Sequence, residues 1–222
     1  MSTVIGRIDI STFEGDGLDI VGTDGFDLLS GTQESELIDG SAGNDIILGK
    51  GGSDLIIGGE GDDVIFAGTG SDSIIGGEGN DVITGESGND VIEAGSGSDT
   101  IFGDFGDDYI HGADGDDIIT GGLGDDTIDG GTGSDTLFGD LGADVFEFDI
   151  EDFASGEVDI IEGFEVGQDN IVINGLDDSD DVALDPITNT ISVNGNSIIT
   201  IGGTPILSLE MEEDEDDDYE II

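Results

Sequence analysis

Apolar residues recur at every ninth position through the middle of the chain, and polar residues or glycines fill most of the places between them. Between Gly22 and Glu147 the eighth residue of each nine is always apolar. These residues are Leu29, Ile38, Ile47, Ile56, Ile65, Ile74, Ile83, Ile92, Ile101, Ile110, Ile119, Ile128, Leu137 and Phe146. Side chains alternate along a strand, so a short strand at positions seven to nine points this residue inward and its neighbours outward. The pattern predicts a core that is essentially an isoleucine ladder.

The period of nine is repeated fourteen times without a gap. Copies include GSAGNDIIL from Gly40, GGEGDDVIF from Gly58 and GGLGDDTID from Gly121. A short fixed period is typical of a solenoid, in which each copy packs only on its neighbours. We therefore expect an all-β solenoid over residues 22–147.

Two further columns accompany the apolar one. Position four is glycine at Gly25, Gly43, Gly52, Gly61, Gly70, Gly79, Gly88, Gly97, Gly106, Gly115, Gly124, Gly133 and Gly142. Position six is aspartate at Asp27, Asp45, Asp54, Asp63, Asp72, Asp81, Asp90, Asp99, Asp108, Asp117, Asp126, Asp135 and Asp144. Glycine allows a positive φ and a tight turn that leaves carbonyl oxygens free, whereas stacked aspartates form columns of carboxylates that need cations.

Some copies depart from the pattern. Glu34 and Glu36 replace the glycine and the aspartate of one copy, which makes its site doubtful. Alanine replaces the first glycine at Ala67 and Ala94. The second position, where a positive φ would be strained for a residue with a side chain, holds Lys50, Glu86, Asp104, Ala113 and Asp140. We expect the best sites in the middle of the repeat and weaker ones at both ends.

The charge of the chain restricts its partners. Asp and Glu number 56 against two cationic residues, Arg7 and Lys50, which gives a formal charge of −54. This charge excludes nucleic acid and anionic membrane surfaces, and favours divalent cations, basic proteins or a solvated surface. With 42 glycines and 5% aromatics, such a chain is expected to be loose while its charge is bare and folded once it is neutralised.

Several other chemistries are excluded by the residues present. There is no cysteine, so disulfides and zinc–thiolate sites are absent. The only histidine, His111, falls at an outward ninth position, which favours a solvent-facing strand residue over a catalytic one, and zinc would lack ligands. The N-terminus does not have the pattern of a secretory signal peptide, and no apolar run is long enough for membrane insertion.

The nonapeptide resembles GGxGxDxUx, the calcium-binding repeat of the repeats-in-toxin (RTX) family, over residues 22–147. The resemblance implies a right-handed parallel β-roll with two copies per coil and several Ca²⁺ ions, each between a copy and the next but one. It implies that the thirteen sixth-position aspartates are ligands, and that carbonyls of the fourth-position glycines from Gly43 to Gly133 complete the shell. One aspartate column would run from Asp27 to Asp135, and the other from Glu36 to Asp144.

Carboxylates in adjacent coils would lie about 4.8 Å apart. At that spacing two bare charges repel by roughly 1 kcal/mol in water and about 3 kcal/mol at an effective dielectric of 20. Summed over two columns, the repulsion exceeds the stability of an ordinary domain, which is about 5–15 kcal/mol. Ca²⁺ accepts many oxygen ligands in flexible geometry, whereas Mg²⁺ demands a strict octahedron and is expected to fold the chain poorly.

The flanking segments have different patterns. Residues 1–21 are expected to cap the first coil. Residues 148–209 are expected to form a small β extension that caps the last coil, because Ala143–Leu176 resembles the closing segment of secreted serralysin-type proteins. The residues expected to bury the last coil are Phe146, Phe148, Ile160, Ile161, Phe164, Ile171 and Ile173. Thr190–Ile201 is predicted to be a hairpin with Asn194-Gly195 as its turn, and 210–222 an extended acidic tail.

These features predict a secreted, calcium-dependent structural or binding module that folds outside the cell. The resemblance implies type I secretion with an uncleaved C-terminal signal, and Glu220-Ile221-Ile222 loosely matches such a signal, although a frayed acidic tail is an alternative. Catalysis is not expected, because the HExxH motif of the serralysins is absent. Two other functions remain open: the C-terminal module of a secreted hydrolase or toxin, and a cell-surface adhesin or surface-layer element.

One face of the predicted roll is unusually free of charge. Ninth positions taken in every second copy are Leu48, Phe66, Thr84, Phe102, Thr120 and Phe138, whereas the opposite face carries Asp39, Ile57, Ile75, Glu93, His111 and Asp129. We call the first set the ninth-position strip. It would dock the C-terminal segment or a second copy of the protein; alternatively, its residues are simply good strand formers.

Overall fold

The computed structural model describes residues 4–5, 8–9, 19–176, 181–185, 187–202, 211–213 and 219–221. The strands within these residues are β1 (Val4–Ile5), β2 (Ile8–Asp9), β3 (Ile20–Val21), β4 (Leu28–Ser30), β5 (Leu37–Asp39), β6 (Ile46–Gly51), β7 (Leu55–Glu60), β8 (Val64–Thr69), β9 (Ser73–Glu78), β10 (Val82–Ser87), β11 (Val91–Ser96), β12 (Thr100–Phe105), β13 (Tyr109–Asp114), β14 (Ile118–Leu123), β15 (Thr127–Thr132), β16 (Thr136–Leu141), β17 (Val145–Asp149), β18 (Asp159–Glu162), β19 (Asn170–Asn174), β20 (Val182–Asp185), β21 (Thr190–Val193), β22 (Asn196–Ile201), β23 (Met211–Glu213) and β24 (Tyr219–Ile221). A single 3-10 turn, Asp152–Ser155, lies between β17 and β18.

The strands form a parallel β-roll of two long sheets, as predicted. The even-numbered strands β4 to β18 make sheet 1, and the odd-numbered strands β3 to β19 make sheet 2. Each repeat strand pairs in parallel with the strand 18 residues further on, as in Ile83↔Ile101 and Ile92↔Ile110. Two nonapeptides therefore complete one coil, and like positions of alternate copies stack directly on each other.

The strands of the repeat are longer than the three residues predicted. Those from β6 to β16 have six residues and run from position seven of one copy to position three of the next. In β10, pairing with β12 covers Val82–Thr84 and then resumes at Glu86, so the first-position Gly85 is skipped. Positions two and three stay in the ladder because they stack on the same positions of the neighbouring coil.

The isoleucine ladder forms the core, which confirms the sequence prediction. Eighth-position side chains from Ile38 to Phe146 are fully buried, while Leu29 at the N-terminal end is only partly covered. Beyond the repeat, Phe148, Ile161, Ile171 and Ile173 continue the same core. The expected burial of Ile160 was wrong, because this side chain points outward from β18 and is 38% exposed.

The positive φ expected at the second position of the repeat is also confirmed. Lys50, Glu86, Asp104, Ala113 and Asp140 all have φ between 69° and 79°. Left-handed backbone costs a residue with a Cβ about 1–2 kcal/mol. The uniform geometry of the coil imposes this conformation even where the sequence does not supply glycine.

Beyond Glu147 the chain extends both sheets. β18 and β19 pair in parallel with β16 and β17. The predicted hairpin is present as β21 and β22, with Asn194 and Gly195 both at positive φ in the turn. β24 pairs antiparallel with β19, and β23 with β24, so these parts of the predicted acidic tail are paired strands.

The N-terminal cap predicted for residues 1–21 lies mostly outside the described residues, which here include only β1, β2 and 19–21. Most of the tail, with Ile222, lies outside them too. The domain boundaries at 21, 147 and 209 stay predictions. In the part of the chain that the structure describes, no helix has the length and apolar character needed to cross a bilayer.

Candidate metal centre

The sixth-position aspartates lie inside the turns and stack in two continuous columns. From Asp45 to Asp144 their exposure is only 1–3%. Each backbone N–H donates to Oδ1 of the carboxylate one coil further on, as from Asp63 to Asp81 at 2.8 Å and from Asp81 to Asp99 at 2.7 Å. The alternation of the aspartates between two columns, predicted from the resemblance, is therefore the arrangement in the structure.

The second oxygen of each carboxylate has no partner. Oδ2 is buried and accepts no hydrogen bond in twelve consecutive copies: Asp45, Asp54, Asp63, Asp72, Asp81, Asp90, Asp99, Asp108, Asp117, Asp126, Asp135 and Asp144. A buried polar atom without a partner is costly, and a buried charge more so. A single such atom would be a local defect, but twelve in register define two rows of buried anionic sites.

The first-position glycines leave space beside these oxygens. A Cβ added to Gly40 would lie 2.8 Å from Oδ2 of Asp45 and 2.3 Å from the carbonyl oxygen of Gly58. At Gly103 the corresponding distances, to Asp108 Oδ2 and Gly121 O, are 2.4 and 2.6 Å. A carboxylate oxygen and a carbonyl oxygen of the next coil therefore border the same small space, which a side chain would fill.

A second set of oxygens comes from the fourth-position glycines. Among the described residues, no hydrogen bond reaches the carbonyls of these glycines from Gly43 to Gly133. By contrast, third- and sixth-position carbonyls accept regularly, as from Gly61 N–H to Glu78 O at 2.6 Å. A Cβ on Gly61 would lie 2.3 Å from the carbonyl oxygen of Gly43, so this oxygen points along the stack.

This donor set fits calcium. Every candidate ligand is a hard oxygen, either carboxylate or backbone carbonyl, which is the set that Ca²⁺ prefers. In the described residues no group of three or more His, Asp or Glu side chains is arranged to hold a metal ion. Zinc, which wants imidazole or thiolate, is a poor match for these oxygens.

Three of the four column ends are carboxylates that have partners within the chain, and the fourth, Asp159, keeps one oxygen without a partner. Thr23 donates its N–H and its hydroxyl to Asp27 Oδ2, at 2.7 and 2.9 Å. Thr32 likewise donates its N–H and its hydroxyl to the carboxylate of Glu36. Glu36 replaces the aspartate in the copy whose site was expected to be doubtful. At the other end, Glu165 N–H donates to Asp169 Oδ2 at 2.7 Å. Weaker terminal sites stay a prediction, which these contacts support.

The columns extend beyond the repeat to residues that the sequence analysis missed. Asp135 N–H donates to Asp159 Oδ1 at 2.8 Å, and Asp144 N–H to Asp169 Oδ1 at 3.2 Å. The spacings are 24 and 25 residues, so a search in nines passes over both. A local signal exists in GQDNI from Gly167, which keeps the glycine, aspartate and isoleucine of the repeat in their usual order.

The turns carry a second, exposed polar ladder at position five. Asn80 N–H donates to Asp62 Oδ1 and Ser98 N–H to Asn80 Oδ1, both at 2.9 Å. Position five is Asn, Ser or Asp in every copy except those with Phe26 and Ala143, a regularity that the sequence analysis left out. These bonds lower the pKa of Asp62, and they fix the register of each turn from its outer side.

Burial raises the pKa of most aspartates in the two columns. It raises the pKa of Asp54, Asp63, Asp72, Asp108, Asp135 and Asp144 to about 6, of Asp81, Asp117 and Asp126 to about 7, and of Asp90 to about 8. Neighbouring carboxylates add to the rise for most of them, whereas the donated N–H opposes it. Without a cation, these carboxylates would bind protons at a higher pH than an exposed aspartate does.

The single histidine has a structural role. His111 lies outward at position nine, as predicted, with Nδ1 3.3 Å from Glu93 Oε1 and Nε2 3.7 Å from Asp129 Oδ2. The hydrogen bond to Glu93 raises the pKa of His111, and burial opposes the rise. The imidazole thus lies between two carboxylates of the same face, one in the coil before it and one in the coil after it.

Comparison with known proteins agrees with this geometry. The family model of the RTX calcium-binding nonapeptide repeat (4 copies) matches residues 21–56, 39–74, 57–92, 84–119, 93–128 and 111–146, which together span more than half of the chain. A search among curated proteins finds no significant match.

The first prediction concerns protons in the absence of metal. The pKa values of ten column aspartates between Asp54 and Asp144 are higher in the metal-free roll, at about 6–8, than the 3.8 expected when unfolded. Protonation therefore favours the roll below pH about 4, and this contribution is lost as pH rises through 6–8. Far-UV circular dichroism in chelator should show more β-structure at pH 5 than at pH 8. A flat or opposite dependence would contradict the burial of these carboxylates.

The second prediction uses one substitution with two opposite effects. Asp90→Asn removes a buried charge, so it should increase the β signal in chelator at pH 8. The same change removes an anionic ligand, so it should raise the calcium concentration at the folding midpoint about tenfold. Asp62→Asn, on the exposed position-five ladder, serves as control and should leave the midpoint within about twofold. Equal shifts for both variants would show that total charge, and not the column, controls folding.

Proposed function

Because this chain belongs to the RTX calcium-binding nonapeptide repeat family, we propose that it is a secreted module that folds on binding Ca²⁺ and serves as a structural or binding element. The observation that carries the proposal is the row of buried, unpartnered Oδ2 atoms in each column. Bound Ca²⁺ would supply positive charge between carboxylates that otherwise repel.

Different residues of each coil would supply different ligand atoms to the calcium ion. The column aspartates provide one anionic oxygen per copy, while the other oxygen holds the register through the N–H of the previous coil. The fourth-position carbonyls provide neutral oxygens along the stack. Folding free energy and metal-binding free energy would then be the same quantity, as in other domains that need a metal to fold.

The proposed place of action follows from the same dependence. Calcium is scarce inside cells, whereas extracellular modules often bind it weakly, with dissociation constants of about 10⁻⁴–10⁻³ M. A chain with charge −54 would stay loose where calcium is scarce and fold where it is plentiful. We propose export by type I secretion, as the family resemblance implies, with an uncleaved signal at the C-terminal end that includes Glu220-Ile221-Ile222.

The third prediction tests calcium-dependent folding directly. A calcium titration followed by far-UV circular dichroism should show a cooperative gain of β signal. Magnesium at the same concentrations should give little change, because the site offers many flexible oxygens and no octahedral cage. A protein that folds equally well in magnesium, or that ignores both ions, would refute the proposal. A hydrolysis screen on the folded protein separately tests the alternative of a hydrolase or toxin module.

We also propose that the ninth-position strip of sheet 1 contacts a second copy of the protein. Its members bear no charge, and the strongly acidic chain leaves Phe66 36% exposed there. The other option predicted from the sequence, coverage by the C-terminal segment, finds no support in the described strands. β20 to β22 lie beside β18 and lengthen sheet 1 in its own plane.

The fourth prediction concerns this strip. Replacing Phe66, Phe102 and Phe138 together by Ser should reduce the mass measured by light scattering in saturating calcium from a dimer to a monomer. Phe105→Ser is the control, because Phe105 is 57% exposed and lies outside the strip. The contact proposal fails if the triple variant and the wild type have the same mass and the same thermal stability.

A further inference from the structure

Two buried side-chain oxygens outside the nonapeptides lack hydrogen-bond partners. In the described residues, the buried unpartnered side-chain atoms are the twelve column Oδ2 atoms together with Glu157 Oε2 and Asp159 Oδ2. Asp159 is the first residue of β18, and Glu157 lies two residues before it. Both lie beyond residue 146, where the match to the family model ends.

Asp159 occupies a column place in an irregular coil. It is 0% exposed and receives the N–H of Asp135 on Oδ1 at 2.8 Å. Pairing of β18 with β16 sets Ile160 opposite Thr136 and Ile161 opposite Leu137. The aspartate therefore lies one coil beyond Asp135, at the position that a sixth-position aspartate would have. The six extra residues of this coil include the 3-10 turn Asp152–Ser155.

Glu157 takes the place of a glycine of the repeat. It stands two residues before the column aspartate, where regular copies have the fourth-position glycine and its free carbonyl. Glu157 therefore adds a side-chain carboxylate at a position where the regular copies have no side chain. More anionic ligands strengthen calcium sites, so this end of the column differs in chemistry from its middle.

We propose that Glu157 and Asp159 hold an additional calcium ion at the end of the sheet 1 column, outside the recognised repeats. The inference rests on the proposed calcium-dependent function and extends it to a site built by an irregular coil. Its support is that Glu157 Oε2 and Asp159 Oδ2 are both buried and accept no hydrogen bond, which is costly for a carboxylate and which a bound cation would relieve. The carboxylates of Asp129, Asp135 and Asp152 also act on Asp159 and make the position more negative.

The other column provides the contrast. It ends at Asp169, whose Oδ1 receives Asp144 N–H and whose Oδ2 receives Glu165 N–H at 2.7 Å. Asp169 has the same column role as Asp159, yet both of its oxygens have donors. A site is therefore inferred at the end of sheet 1 and not at the end of sheet 2.

The fifth prediction is a count of bound ions. Native mass spectrometry of the full chain in saturating calcium should give one ion fewer for Glu157→Gln and for Asp159→Asn than for the wild type. Glu162→Gln neutralises an exposed carboxylate of the same strand, and Asp169→Asn alters the partnered column end. Both controls should keep the wild-type count.

The outcomes separate this site from the general proposal. A wild type that binds no calcium would refute the proposed function and this site with it. A wild type that binds calcium, with an unchanged count in Glu157→Gln, would overturn the additional site alone. Glu157 makes no hydrogen bond through its buried Oε2, so this variant should keep its β signal even if Asp159→Asn unfolds the last coil.

Discussion

The spacing of like charges along the stack is the constraint on which the rest of the structure depends. A parallel roll repeats every position at about 4.8 Å, so any residue that recurs in phase becomes a column. Isoleucine in phase gives a continuous core. Aspartate in phase gives two rows of buried carboxylates, each with one unpartnered oxygen from Asp45 to Asp144. The same periodicity that builds the core therefore creates the charge that opposes folding, and this repulsion would be relieved by a cation bound on the inside of each turn or by protonation of the carboxylates.

Glycines at two positions of the repeat leave oxygen atoms accessible inside each turn. The first-position glycine has no side chain, which leaves space beside Asp Oδ2. The fourth-position glycine has a carbonyl oxygen that accepts no hydrogen bond. Asp104 and Asp140 show that the coil geometry is strong enough to hold other residues at φ of 72° and 69°. Three of the four column ends show the opposite limit, because Thr23, Thr32 and Glu165 donate to the end carboxylates from within the chain. The carboxylate oxygens without a donor thus lie between these ends and at Asp159.

Most of the roll could be predicted from the sequence, because period, inward residue and positive φ each follow from the identity of a residue at a fixed position. The bond from each Asp N–H to the next Oδ1 could not, since it depends on side-chain orientation inside the turn. Asp159 was missed because the irregular coil moves it to a spacing of 24 residues. Ile160 was placed inside because its apolar character was counted without its register, which the pairing with Thr136 fixes as outward.

The central claim is that cations between the coils keep together a chain that its own charge would otherwise expand. Small-angle X-ray scattering at neutral pH, in chelator and then in saturating calcium, tests it most directly. The account predicts a radius of gyration near 50 Å without calcium, about that of an unfolded chain of this length, and roughly 17–20 Å with it. A chelated sample that is already compact and is unchanged by calcium would contradict the account.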